Sequence, residues 1–452
     1  MLTRREFLAY LGILGAAVVL PVKIVENERE IKKAQAAKPV DCDWVIENVF
    51  LIDGSGNPGF PGKLAVKDDK IVASGDFLVS ETVEVIAGHG YILAPGFIDV
   101  HTHTEDYFLS GGEMSPFLSQ GVTLQIGGNC GRSPRDLKDF FQRVPEMQIN
   151  YGSLMGYATL RQMVWGRDCP EKATLQAINQ MQNYLAKALE DGAVGLSIGL
   201  EYWPQTYAST EEVIALCEVL KEKGGFYATH IRSEYDRVLE ALEEAIEIGF
   251  QAGVPVQYSH LKAGFKRNWS KVPRILEMLS EAEADGLDIR ADFYGYTYSS
   301  TDVGRKVFQH SMSAENLELA AVHPLTFFAS DAGIHAGGRA IHPRAYGNIP
   351  RILRWFVREK GLLTWEKAIA KLTSQPARRL NLKRRGLLKE GYQADLVLFD
   401  PETITDKATR EKTNIFSEGV KKVWVNGKLA WADGENLHPN SGQKILNKKL
   451  VV

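Results

Sequence analysis

Ala94-Pro95-Gly96-Phe97-Ile98-Asp99-Val100-His101-Thr102-His103 is the stretch from which the rest of the chain can be read. Ile98-Asp99-Val100 ends a short strand, and two histidines follow it at alternate positions. Alternate side chains of extended backbone point the same way, so His101 and His103 can address one ion. Seven further runs end as strands: Thr123 to Ile126, Tyr151 to Met155, Val194 to Ile198, Phe226 to Thr229, Val256 to Ser259, Asp288 to Phe293 and Thr326 to Ala329. Between them, Thr174 to Glu190, Thr210 to Lys223, Tyr235 to Gly249 and Val272 to Ala284 repeat apolar residues every three or four positions, the signature of helices packed on one face. Gly192, Gly224, Gly249 and Gly286 stand just after these runs, where a left-handed helix cap favours glycine. Strands alternating with helices predict βα units, and eight of them predict an α/β fold built on a (β/α)8 barrel.

Such a barrel concentrates its chemistry at the carboxyl ends of its strands. Those ends carry His101 and His103, then Cys130, His230, His260 and Asp331. A single strand-end histidine is usually a hydrogen-bonded core residue, and a single cysteine is usually packing. Six metal-ligating types on one face of one barrel are better explained by a metal centre. The cysteine thiolate among them favours zinc over magnesium or calcium.

Outward from the barrel, residues 43–94 alternate β-rich runs with Gly/Pro/Asn turns, and residues 381–436 repeat the pattern through Asp395 to Phe399 and Val420 to Trp431. Neither wing closes a core alone, so the two are expected to meet as one discontinuous β-sandwich domain beside a barrel spanning 95–380, with 437–452 as a tail. Lys383-Arg384-Arg385 reads as a solvated loop. At the amino end, Thr3-Arg4-Arg5-Glu6-Phe7-Leu8 before the apolar run Leu11 to Leu20 has the form of a twin-arginine export leader over residues 1–36. The expected location is the periplasmic or extracellular face, a membrane anchor being the alternative. With 53 Lys+Arg, 56 Asp+Glu and no basic block, the chain has no footing on a phosphate backbone, so no nucleic-acid partner is expected. Four cysteines are too few for a disulfide scaffold.

The motifs together resemble the amidohydrolase superfamily and, within it, the D-aminoacylase (N-acyl-D-amino-acid deacylase) group. The resemblance runs in order through the opening stretch, Gly-Asn-Cys-Gly at 128–131, Gly-Leu-Ser-Ile-Gly-Leu-Glu-Tyr at 195–202 and Tyr-Ala-Thr-His-Ile-Arg-Ser-Glu at 227–234. It continues through Ser-His-Leu-Lys at 259–262, Ser-Asp-Ala-Gly at 330–333, His-Pro-Arg-Ala-Tyr-Gly at 342–347 and Gly-Tyr-Gln-Ala-Asp-Leu-Val at 391–397. Gly-Asn-Cys-Gly, standing in place of a bridging lysine, is specific to that group.

The resemblance implies one zinc held by Cys130, His230 and His260, and a second site, often weaker or unfilled, near His101 and His103, with Asp331 also among the metal residues. It implies hydrolysis of an N-acyl-D-amino acid, a small-molecule substrate, with Asp331 as general acid/base. Zinc can lower the pKa of bound water from about 16 to about 7, and a carboxylate can carry the water proton to the departing amine. Lys262, Tyr294 and Arg344 are implied as the binders of the substrate carboxylate, with Tyr202 lining the pocket and Ser300 and Thr301 as further contacts. The connections after strands 2 and 7 are shorter than in D-aminoacylases, and Tyr157 stands where a histidine is expected. Two alternatives stay open at this point: another amidohydrolase acting on a cyclic amide or a dipeptide, and a non-catalytic scaffold. Oligomeric state is not read from the sequence.

Overall fold

In a computed structural model of the chain, residues 38–144, 146–300 and 311–447 are described. The export leader and Thr301 lie outside them. No helix among the described residues is long and apolar enough to cross a membrane.

Eight parallel strands follow one another round a ring: Phe97–Asp99, Val122–Gly127, Asn150–Ser153 continued by Met155–Gly156, Leu196–Gly199, Tyr227–His230, Val256–Tyr258, Ile289–Phe293 and Thr326–Phe328. They are called barrel strands 1 to 8 below. The ladder from strand 8 back to strand 1 is made beyond their ends, where the Asp331 N–H donates to His101 O at 2.8 Å and Ala332 and Gly333 pair with Thr102 and His103. Ile98, Leu124, Leu154 and Phe327, from strands 1, 2, 3 and 8, and Phe226, just before strand 5, belong to one buried cluster, which the interior of a closed ring allows.

The helices between strands form where the apolar spacing places them, including Leu175–Glu190 with Thr174 accepting the Ala177 N–H, Thr210–Lys223 and Val272–Ala284. One cap is corrected. The helix Val238–Ala252 runs past Gly249 and ends at Gly253, which has φ 66°. Gly249 is instead a close-approach position, because a Cβ there would meet Val256 Cγ2 at 2.4 Å.

Beside the ring, nine strands form one sheet. Trp44–Leu51 is its centre, flanked by Phe60–Lys67 on one edge and by Glu84–Ala87 and Ile92–Pro95 on the other. Ile92–Pro95, part of the connection into the barrel, pairs with Leu396–Phe399 and so joins the two wings. Trp44 stacks on Trp424 at 5.5 Å although two strands separate theirs, about 14 Å in a flat sheet. The sheet therefore curls over its own apolar core in the manner of a sandwich.

Two expectations fail here. Residues 437–447 of the expected tail pack on the barrel. Tyr151 of strand 3 donates to Gln443 O at 3.0 Å and accepts from the Ile445 N–H at 2.8 Å, so this segment occupies the edge of strand 3 that would otherwise face strand 4. Ile445 enters the cluster inside the ring. Nor is Lys383-Arg384-Arg385 wholly solvated. Arg385 is buried and forks to Asp395, to Asn426 Oδ1 at 2.9 Å and to Gln443 Oε1 at 2.8 Å, because a buried guanidinium must satisfy its donors.

Candidate metal centre

Three of the strand-end ligands sit on left-handed backbone, Cys130 at φ 52°, His260 at φ 40° and Asp331 at φ 50°. Such angles cost free energy for residues other than glycine and persist where the surroundings enforce them. Each turns its chain sharply at the rim and aims a side chain at the axis. Cys130 Sγ is 3.5 Å from His101 Nε2 and 3.5 Å from His260 Nε2, and His260 Nε2 is 3.0 Å from His230 Nδ1. Asp331 Oδ1 lies 3.3 Å from His103 Nε2 and 3.7 Å from His101 Nε2. Donor atoms of three sets, His101/His103/Cys130, Cys130/His230/His260 and His101/His260/Asp331, each fall within 4.8 Å of one another. The structure thus brings together the side chains of all six residues that the sequence suggested as ligands.

The electrostatics suit a cation. Burial opposes ionisation of Cys130, yet the neighbouring His101 and His260 charges outweigh it and hold the thiol well below its usual range. His230, whose burial alone would lower it, is pushed up to about 9 by Glu234, Cys130 and Glu201. A buried cluster of one thiolate and several imidazoles is the donor chemistry of zinc.

Behind the ligands stand four carboxylates that the sequence reading passed over. Asp292 on strand 7 faces His101 Nδ1 at 3.2 Å and accepts the His260 N–H at 2.8 Å and Gln257 Nε2 at 2.8 Å. Glu234 Oε1 lies 2.9 Å from His260 Nδ1, and Glu201 Oε2 lies 3.0 Å from His230 Nε2. Asp99 accepts from Ser330 Oγ at 2.5 Å and from the Ser330 N–H at 2.9 Å, which fixes the backbone just before Asp331. Carboxylates on the far nitrogens of ligating histidines set ring orientation and tautomer. A signal existed: an acid inside an apolar strand, as at Asp292, needs a buried partner.

The expected substrate contacts form one wall. Arg344 stacks on the Tyr294 ring, its guanidinium 4.4 Å from the ring centroid, and Lys262 Nζ is 5.8 Å from the same centroid. Arg344 Nη2 is 2.7 Å from Asp331 Oδ2 and donates to Ser300 Oγ at 3.1 Å. Among the described residues, Arg344 Nε and Nη1 and the Tyr294 hydroxyl are buried without a hydrogen-bond partner. Lys262 is held by Glu234 at 2.8 and 3.0 Å. Tyr202 lies 4.6 Å from the His230 ring and lines the same cavity of about 220 Å³ as Lys262, Asp331 and Cys130. Tyr157 is elsewhere, fully buried, donating to Glu212 and accepting from Arg161 at 2.9 Å, a tie between two barrel helices.

The family model for the amidohydrolase family matches residues 92–430. The chain belongs to the amidohydrolase family. It is 35% identical to the N-acyl-D-aspartate deacylase of Alcaligenes xylosoxydans xylosoxydans, over 88% of this chain and 93% of that one. A crystal structure of D-aminoacylase superposes with a TM-score of 0.83 at 30% identity, covering 90% of this chain and all of the other. A Bordetella bronchiseptica N-acyl-D-glutamate deacylase, solved with zinc and a phosphonate mimic of the tetrahedral intermediate, gives 0.81 at 28% identity, over 90% of this chain and all of that one. This member of the amidohydrolase family is a hydrolase acting on linear amides.

Proposed function

We propose that the protein hydrolyses N-acyl-D-amino acids to a carboxylate and a free D-amino acid. The observation that carries the proposal is the contact of two groups at one cavity: Cys130, His260 and Asp331 line it together with Lys262, Lys262 Nζ lies 2.9 Å from His260 Nδ1, and Arg344, stacked on Tyr294, lies 2.7 Å from Asp331 Oδ2. A metal centre that polarises an amide carbonyl and a cationic wall that takes a carboxylate together describe an N-acyl amino acid.

The six ligands fit zinc, with Cys130, His230 and His260 as its tighter set and His101, His103 and Asp331 completing a second position. Zinc there would act as a Lewis acid on the carbonyl and would lower the pKa of a water molecule. The chain supplies the proton path. Burial works against an ionised Asp331, but Arg344, His103, His260 and His101 keep it well below the usual carboxylate range. Asp331 is therefore a carboxylate at neutral pH, with Oδ2 engaged by Arg344 and Oδ1 turned toward the histidines. Oδ1 is the atom that accepts the proton of the attacking water and passes it to the leaving nitrogen, which cannot depart as an anion. Tyr294 and Arg344 keep donors free for the substrate carboxylate, and Tyr202 closes the cavity over His230.

The export route belongs to the same proposal and rests on Arg4, Arg5 and the apolar run that follows. The activity is tested by comparing purified, zinc-loaded protein on N-acetyl-D- and N-acetyl-L-amino acids. Selective turnover of the D series is expected, and equal or L-preferring turnover sinks the proposal.

A further inference from the structure

Arg132 follows Cys130 by two residues and is exposed, and among the described residues its guanidinium has no hydrogen-bond or ion-pair partner. It lines the cavity of about 220 Å³ at the metal centre and also a wider cleft of about 700 Å³ beside it, and His103 is the other wall common to both. The two spaces therefore adjoin at these side chains.

Its place in the ring gives it a direction. In a ring of eight strands, strand 2 lies across the axis from strand 6. Lys262 leaves strand 6, Tyr294 leaves strand 7 and Arg344 follows strand 8, so the wall that takes the α-carboxylate lies on that side. Arg132 leaves strand 2 with Cys130, and Cys130 meets His260 of strand 6 at 3.5 Å in the middle. A substrate with its carboxylate on the wall and its amide carbonyl at the centre has to extend its acyl group toward Arg132.

The acids of the wider cleft are largely engaged by other groups. Asp139 pairs with Arg143 at 3.4 Å, Asp136 accepts the Asp139 N–H at 2.8 Å, and Glu105 accepts the Gly128 N–H. Asp106 is the remaining free carboxylate of the cleft among the described residues, against two free guanidiniums, Arg132 and Arg135. A guanidinium fork without a partner, at the open end of a substrate cavity, matches a carboxylate in shape and charge.

We propose that Arg132 receives a carboxylate at the far end of the acyl group, so that the substrates are D-amino acids acylated by a dicarboxylic acid rather than by a simple fatty acid. The inference rests on the amide hydrolysis proposed above and adds the acyl class to it. No bond other than the amide changes.

The test measures kcat/KM of the zinc-loaded protein on N-acetyl-D-leucine, N-succinyl-D-leucine and N-acetyl-D-glutamate, for the wild type and for Arg132→Gln and Arg132→Lys. The wild type should prefer the succinyl over the acetyl leucine. That preference should fall roughly 10- to 100-fold in Arg132→Gln, the scale of a charge-assisted hydrogen bond, and be partly retained in Arg132→Lys. A succinyl-to-acetyl ratio unmoved by Arg132→Gln overturns the inference. So does a variant that instead collapses the glutamate-to-leucine ratio, which would place Arg132 on the amino-acid side chain. Turnover of N-acetyl-D-leucine without any Arg132-dependent preference removes the inference and leaves the D-aminoacylase reading standing. Turnover of none of the three removes both.

Discussion

Arg344 Nη2 sits 2.7 Å from Asp331 Oδ2, so the guanidinium assigned to the substrate carboxylate also grips the proposed proton carrier. One oxygen of Asp331 is thereby fixed and the other is left to the chemistry. Asp331→Asn keeps the shape but cannot accept the water proton, so kcat should fall by at least about two orders of magnitude. Zinc content, measured by elemental analysis of the same sample, should stay near that of the wild type. Unchanged turnover would show that another group moves the proton.

Cys130 is the donor shared by two of the ligand sets, whereas His103 belongs to one. Cys130→Ser should therefore lower tightly bound zinc well below one per chain, while His103→Ala should retain about one. Chelation of the wild type should abolish activity, and added zinc should restore it. Full activity in the thoroughly chelated protein would rule out a metal mechanism.

Asp99 sets a pH dependence of stability. Burial pushes its carboxyl up to about 6 against an ordinary 3.8, and the Ser330 and His101 hydrogen bonds only partly offset this. Between about pH 4 and pH 6 the native state then holds a proton that the unfolded chain has lost, so stability falls as pH rises through that window. Two pKa units correspond to roughly 3 kcal/mol. Asp99→Asn removes the titration, so the stability of the wild type minus that of the variant should decline by about that amount from pH 4 to above pH 6 in denaturant titrations. A difference that is flat or rises with pH would contradict the assignment.

Ile445 reaches the interior of the ring from beyond the β domain. Ile445→Ala should cost about 2–4 kcal/mol in chemical denaturation through the cavity it leaves. A loss under about 0.5 kcal/mol would mean that the ring does not depend on this segment.

Replacing Arg4 and Arg5 by Lys should hold the protein inside the cell, as followed by fractionation and immunoblotting. Normal export of that variant would remove the twin-arginine reading.

The ring and the ligands were legible because both depend on local pattern. Each strand is a short apolar run, and each ligand lies within four residues of the end of one, as His230 follows Thr229 and Cys130 follows Ile126 by four. Cys130, His260 and Asp331 could be named from the sequence, although the left-handed turns that aim them could not, since φ at a non-glycine residue leaves no trace in composition. Asp292 and Glu234 were missed because their partners come from other strands and loops: Asp292 serves His101 across 191 positions. Gly249 and Gly253 show a smaller failure of the same kind. Either glycine suits a helix end by sequence, and the packing of Gly249 against Val256 decides between them. Residues 443–447 gave no signal, because polar residues that pair along a strand edge look like any surface stretch.

The segment at 443–447 has a consequence for how the molecule is made. The β domain needs residues 396–425 to pair with strands begun near residue 44, and the ring needs residues 443–447 along strand 3. Neither part can be completed while its other half is still inside the ribosome. The β domain therefore closes only after residue 425 has emerged, and the ring only after residue 447 has. Until then the apolar barrel strands are exposed, and their unpaired edges are open to aggregation.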